Sequence, residues 1–114
     1  MTAIQLEHFL SELRACVGAA HVLTQALDTW SYTEDWRKKD HGKALAVVSP
    51  GSTEEVAAVM KAACTYKVPV VTQGGNTGLS GGATPDDSGL QIVLSTRRLN
   101  RIRHIDTAND AVIV

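Results

Sequence analysis

The chain reads as an α+β fold, with an N-terminal helix followed by a βαβ unit and further strands in a small mixed sheet. Three observations predict this. Apolar residues recur at helical spacing over residues 3–17. Two apolar runs, 44–49 and 69–72, bracket a capped amphipathic stretch at 53–66. Short apolar runs separated by turn residues then fill 90–114. The composition agrees: 114 residues, 44% hydrophobic and 20% charged, is that of one small globular domain or part of a larger one.

The first helix rests on Leu6, Phe9, Leu10, Leu13 and Val17, with Gly18 placed to end it. Ala19–Leu27 reads as a second short helical turn. Residues 28–43 are polar and aperiodic and read as an irregular lead-in, pinned by Trp30, Tyr32 and Trp36. The charges of Glu34–Asp40 alternate in sign and are expected to face water, with Asp35 pairing locally to Arg37 or Lys38. Two units follow from the composition shift: an N-terminal helix and lead-in over 1–43, and the main fold from 44 to 114.

Ala44–Ser49 is a continuous apolar run, as in a strand covered on both faces. Pro50-Gly51 breaks it. Ser52 and Glu55 then form a capping-box signature, in which the hydroxyl accepts from the Glu55 N–H and the carboxylate reaches back. Val56, Val59, Met60, Ala63 and Cys64 continue as one core-facing stripe of a helix over 53–66. Pro69 opens the next strand, 69–72, which makes strand, helix and strand a βαβ unit. Pro85–Gly89 is a turn, Leu90–Leu94 a strand, Thr96–Asn100 a short helical turn and Arg101–Asp106 a strand. Asn109-Asp110 turns the chain into a last apolar run, Ala111–Val114, where the sequence stops inside an element and so reads as a truncated one.

Residues 73–82 hold five of the nine glycines, directly after the second strand of that unit. Glycine lets backbone approach a ligand with no Cβ in the way. Five of them with an Asn and a Thr, at the carboxyl end of a strand, point to a loop that aims N–H groups at an anion. The pyrophosphate of a dinucleotide is the anion that suits it best. A P-loop is excluded, because no lysine occurs after Lys67 to meet terminal phosphates. The Rossmann fingerprint fits poorly, since Ala83-Thr-Pro85 does not open a helix. A helix-free nest of backbone amides remains.

Pro50-Gly-Ser-Thr-Glu-Glu-Val56, Val68-Pro-Val-Val71, Gln73-Gly-Gly-Asn-Thr-Gly78, Gly81-Gly-Ala-Thr-Pro85, Ile92-Val-Leu-Ser95 and Arg98-Leu-Asn-Arg-Ile102 fall in order along the chain. Together they resemble the FAD-binding domain of the vanillyl-alcohol oxidase and p-cresol methylhydroxylase superfamily. Within it they look most like the D-lactate and D-2-hydroxyglutarate dehydrogenases and the flavin subunit of glycolate oxidase. Tyr32-Thr-Glu-Asp-Trp36 is similar to the lead-in of those enzymes.

The resemblance implies the first lobe of a two-lobed FAD-binding domain. The family's loop carries over onto Gln73, Gly74, Gly75, Asn76, Thr77, Gly78 and Leu79, with Gly81 and Gly82 shaping its exit. Backbone N–H donation falls to Gly74–Gly78, and side-chain hydrogen bonds to Asn76 and Thr77. Relatives that tether flavin covalently often carry a histidine after the paired glycines; Asn76 stands there, which implies noncovalent FAD. The parent would be an FAD-dependent oxidoreductase that converts a small D-2-hydroxy acid to a 2-oxo acid and passes electrons to an acceptor. Its catalytic and metal-binding residues would lie in other segments, so this chain alone is expected to be inactive. The alternative is an orphan nucleotide-binding or partner-binding module without catalysis of its own.

The net charge of −1 gives no general argument for nucleic acid or an anionic membrane, and no nucleic-acid partner is expected. Arg97, Arg98, Arg101, Arg103 and His104 read as a solvated face balanced by Asp106 and Asp110. No apolar stretch approaches a transmembrane span, and residues 1–8 lack a basic leader and an apolar signal core. Cytoplasmic placement is therefore expected, with Cys16 and Cys64 as two buried reduced thiols. An apolar face meant for a missing half would invite self-association.

Overall fold

The computed structural model describes residues 1–114. Helix α1 (Ala3–Val17) starts at a full capping box: the Thr2 hydroxyl accepts from the Gln5 N–H at 3.1 Å, and the Gln5 side chain accepts from the Thr2 N–H at 2.9 Å. Gly18 ends it at φ +90°, its N–H donating to the Arg14 carbonyl. The second helical turn expected over 19–27 is divided. A 3₁₀ turn at Ala19–His21 leads into strand β1 (Val22–Leu23) and then the single turn α2 (Ala26–Thr29). A strand forms here because β2 (Ala46–Val48) offers β1 a free edge, pairing Val22 with Val48 and Leu23 with Val47.

Helix α3 (Thr53–Tyr66) starts at Ser52, whose hydroxyl accepts from the Glu55 N–H at 3.2 Å. The reciprocal arm reaches one residue further than expected: the Glu55 carboxylate accepts from the Gly51 N–H and lies 3.6 Å from Arg98. The buried stripe is also rotated from the predicted one. Val59, Ala62 and Ala63 are buried and Val56 packs beside them, whereas Met60 and Cys64 are exposed. Packing against α1 selects the side with the smaller residues. Cys16 is half-buried, so neither thiol is a core residue. Burial, then the charges of Glu12 and Glu55, push the Cys16 thiol up, which leaves it a poor nucleophile.

Strands β3 (Val70–Gln73) and β4 (Ile92–Ser95) complete a four-stranded sheet in the order β1-β2-β4-β3. β2, β4 and β3 are mutually parallel, and β1 is antiparallel, so the sheet is mixed. β4 inserts between the two strands of the βαβ unit. Phe9, Leu13, Val17, Val59 and Ala63 form one core with Ala46, Val48, Ile92 and Leu94. Val47 and Val93 alternate to the opposite side and are fully buried there as well, as the continuous apolar runs require.

Thr96–Asn100 forms a turn rather than a helical segment, with the Leu99 N–H bonded to the Thr96 carbonyl. β5 (His104–Asp106) and β6 (Ala111–Ile113) pair only with each other, as a separate antiparallel hairpin. The lead-in is irregular, as expected, but its aromatic anchors are not buried. Trp30 is 57% and Trp36 65% exposed, while Thr29, Thr33 and Asp35 are buried. The basic cluster is likewise not a purely solvated face. Arg97 donates to the Tyr32 hydroxyl, and Arg98 donates to the Ser49 carbonyl.

Close packing of the lead-in against residues 85–86 depends on Gly42. A Cβ built there would lie 1.8 Å from the Pro85 carbonyl oxygen and 2.5 Å from that of Asp86. The Lys43 N–H bonds to the same Asp86 carbonyl at 2.8 Å. Gly42→Ala is accordingly expected to lose at least about 1–3 kcal/mol in denaturant unfolding, the usual cost of forcing an extra methyl into a closed space.

Candidate functional site: the glycine loop after β3

β3 and β4 are parallel neighbours, so the chain must travel from the carboxyl end of one to the amino end of the other. A helix usually makes that journey. Here residues 74–91 make it without one, and helix-free connections of such length are commonly functional.

None of the backbone N–H groups from Gly74 through Gly82 donates to another group of the chain. Asn76 adopts φ +55° within this run. A left-handed residue among right-handed or extended ones folds successive amides toward one concave side, and Asn tolerates that conformation better than most residues. Gly75, Gly78 and Gly82 have no heavy atom within 4 Å of where a Cβ would stand, and none has a positive φ. Nothing inside the chain therefore requires glycine at these positions. A ligand lying directly on the backbone would. Gly74 is almost as open, with only the Thr96 hydroxyl at 3.8 Å. Gly81 is different: its φ is +76°, and a Cβ would stand 3.2 Å from the Asp40 carboxylate.

The side chains divide by role. Gln73, only 2% exposed, donates through Nε2 to the Tyr32 carbonyl at 2.8 Å and the Ala83 carbonyl at 2.9 Å. It thus ties the loop's two ends to the lead-in. Asn76 Nδ2 donates to the Glu34 carbonyl at 2.8 Å, which commits one of its two amide hydrogens. Arg37 donates to the Leu79 carbonyl at 2.7 Å and brings a positive charge beside the loop. Thr77, Gly78, Leu79 and Gly82 are exposed.

The lead-in side of this clamp was not legible in the sequence. Its centre is Asp35, expected at the surface and found 5% exposed. One carboxylate oxygen accepts from the Lys39 N–H at 2.7 Å and the Asp40 N–H at 3.0 Å. The only signal was the aspartate's place at the start of a polar run, where Asp commonly caps a turn. The largest concavity, about 910 Å³ between Leu6, Tyr66, Pro69 and Leu90, lies at the amino ends of the strands, so it plays no part in this site.

Burial alone would raise the Asp35 carboxyl. The N–H groups of Asp40, Lys39 and Arg37, with the Arg37 charge, outweigh it and hold the group below the usual 3.8. The Ser88 hydroxyl and N–H do the same for Asp86, and the Asn109 side chain and N–H do so for Asp106. All three values are depressed, so their contribution to stability is present above 3.8 and is lost as pH falls through the lowered native values. Acid titration followed by Trp30 and Trp36 fluorescence is expected to show this loss, with a shallower acid limb for Asp35→Asn.

Comparison with known proteins bears on the same segments. A family profile described as an FAD binding domain matches residues 44–114. The chain is 38% identical over 105 residues to the quinone-dependent D-lactate dehydrogenase of Escherichia coli, covering 90% of this chain and 18% of that protein. It is 42% identical over 89 residues to the D-2-hydroxyglutarate dehydrogenase of Xanthomonas citri pv. viticola, covering 78% of this chain and 18% of that protein. Among solved structures, p-cresol methylhydroxylase with substrate bound superposes at TM-score 0.78 with 26% identity, over 93% of this chain and 21% of that one. The chain thus spans about a fifth of the length of the relatives it matches. With its fold, its loop of unspent amides and this match in agreement, the chain belongs to the FAD binding domain family, and FAD is its cofactor.

Proposed function

We propose that this chain is the first lobe of the FAD-binding domain of a longer oxidoreductase, which converts a D-2-hydroxy acid to a 2-oxo acid and hands the electrons to a separate acceptor. The run of unspent amides from Gly74 to Gly82 carries the reading, because it matches the anionic diphosphate bridge of FAD. Gly74–Gly78 would supply N–H groups, Thr77 its hydroxyl, and Asn76 its remaining amide hydrogen. Gln73 and Leu79 hold the loop through their ties to the lead-in, and Gly81 and Gly82 set its exit. Bound flavin supplies the two-electron chemistry, while this chain binds and orients it. The hydroxy-acid substrate is taken from the relatives named D-lactate dehydrogenase and D-2-hydroxyglutarate dehydrogenase.

The lobe proper runs from 44 to 114, with 1–43 as its helix and lead-in. FAD is held noncovalently, since Asn76 stands where a tethering histidine would be, and His8, His21, His41 and His104 lie outside the loop. No helix is long and apolar enough to cross a membrane. The two unpaired cysteines favour the cytoplasm.

Gly75→Ala and Gly78→Ala test the reading. Each is expected to change unfolding stability by no more than about 0.5 kcal/mol, as at other open surface positions. Each is also expected to abolish the saturable shifts that inorganic pyrophosphate produces in the Gly74–Gly78 amide resonances. Wild-type resonances indifferent to pyrophosphate would refute the cradle. The chain by itself is expected to hold FAD more weakly than about micromolar, because the second lobe's contacts are missing.

The β5–β6 hairpin exposes Ile105, Val112 and Ile113 on a two-stranded sheet with open edges, flanked by exposed Ile102 and Val114. Self-association of this chain follows from that surface. Sedimentation velocity at rising concentration is expected to show species heavier than the monomer, and a monomer throughout would contradict it.

A further inference from the structure

The lead-in touches the glycine loop at three points: the Tyr32 carbonyl with Gln73, the Glu34 carbonyl with Asn76, and the Arg37 guanidinium with the Leu79 carbonyl. All three lie within two or three residues of Asp35. The conformation that presents them is a closed polar turn. The Asp35 N–H bonds to the Asp40 carbonyl and the Lys38 N–H to the Asp35 carbonyl, both at 3.0 Å, and the Gly42 N–H bonds to the Thr33 carbonyl at 2.8 Å. Lys38 takes φ +56°, a conformation that a non-glycine residue adopts at a cost and holds only where its surroundings impose it.

A carboxylate at the centre of this turn needs a reason. Asp35 is nearly fully buried, and one of its oxygens, Oδ2, has no hydrogen-bond partner, although the other accepts two N–H groups. Leaving a buried acceptor unpaired is costly, and a charged one more so. An apolar residue would avoid that cost but would release the Lys39 and Asp40 amides and remove a negative charge whose field reaches Arg37. The carboxylate thus closes the turn through two amides at the cost of one unpaired oxygen.

We propose that Asp35 is a positioning residue for the cofactor loop. Its buried carboxylate locks the 33–42 turn so that the Glu34 carbonyl and the Arg37 guanidinium grip the loop at Asn76 and Leu79. It acts through these two residues and makes no contact with the ligand. The inference rests on the cofactor reading only for what the loop binds; that Asp35 orders the loop stands separately.

The experiment is nitrogen-15 relaxation of the 114-residue chain, free and with inorganic pyrophosphate, for wild type, Asp35→Ala and Asp35→Asn. In wild type the Gly75–Leu79 amides are expected to be as ordered as the rigid backbone, with order parameters of about 0.85. Asp35→Ala should drop them below about 0.6, the flexible range, while the β2 and β4 amides stay unchanged. It should also raise the pyrophosphate dissociation constant about tenfold. Asp35→Asn keeps an oxygen for the Lys39 and Asp40 amides, so it should restore most of the order near Asn76 and less of it at Leu79, where Arg37 has lost its counter-charge. Unchanged loop order in both variants overturns the proposal. So does an equal loss of order in the strands, which would make Asp35 a general stability residue. If Asp35→Ala does not fold, an Asp35→Asn loop as ordered as wild type at Leu79 overturns it too. Absence of pyrophosphate shifts in wild type would refute the cofactor reading alone, since loop order is read without ligand.

Discussion

Two parallel strands placed side by side oblige the chain to return along the sheet, and β3 and β4 are such a pair. A helix would make that return with its own hydrogen bonds. Residues 74–91 make it without one, so the amides of 74–82 have no ladder to join. Buried, those groups would destabilise the fold by a few kcal/mol each. Held at the surface, at the carboxyl edge of a parallel sheet, they offer an anion a set of neutral donors already in position. The position of β4 between β2 and β3 thus fixes where in the fold this run of free amides lies.

Such a loop needs bracing, because glycine-rich backbone has much conformational freedom to lose. The brace is the lead-in, and it works through polar ties. Gln73, Asn76 and Arg37 each make a hydrogen bond across more than forty residues of sequence. Each is worth about 1 kcal/mol net in stability, more where a charged group takes part. Their geometric effect is larger than their energy, since together they set the loop's start, middle and far side. Trp30 and Trp36 are bystanders to this in the chain as it stands. Trp30 lies against His41 with ring centroids 4.0 Å apart and the rings tilted by 40°, while remaining open to solvent.

Below the site, α1 and α3 cover one side of the sheet with a single core, and Phe9 and Tyr66 meet with ring centroids 5.2 Å apart. The β5–β6 hairpin takes no part in that core, and its isoleucines and valines face solvent. In relatives about five times as long, there is ample further chain to meet such a surface.

The bounds of α1 and α3 were legible to the residue, because apolar periodicity, the Gly18 that ends α1 and the Ser52 cap that opens α3 are local signals. The buried strands β2 and β4 and the glycine loop were legible for the same reason: continuous apolar runs and clustered glycines state their own requirements. Motif order was enough to indicate the family and its cofactor. The buried side of α3, the edge pairing of β1, the isolation of the β5–β6 hairpin and the role of the lead-in were not legible. Each depends on which distant surface a segment meets, and residue type alone does not carry that information. Asp35 shows the limit most clearly. In sequence it is one charge among several in a polar run, and only the closed turn around it makes it a buried acceptor. Local sequence therefore determined where amides would be left free, while the tertiary structure decided what holds them in place, because the bracing bonds join segments about forty residues apart along the chain.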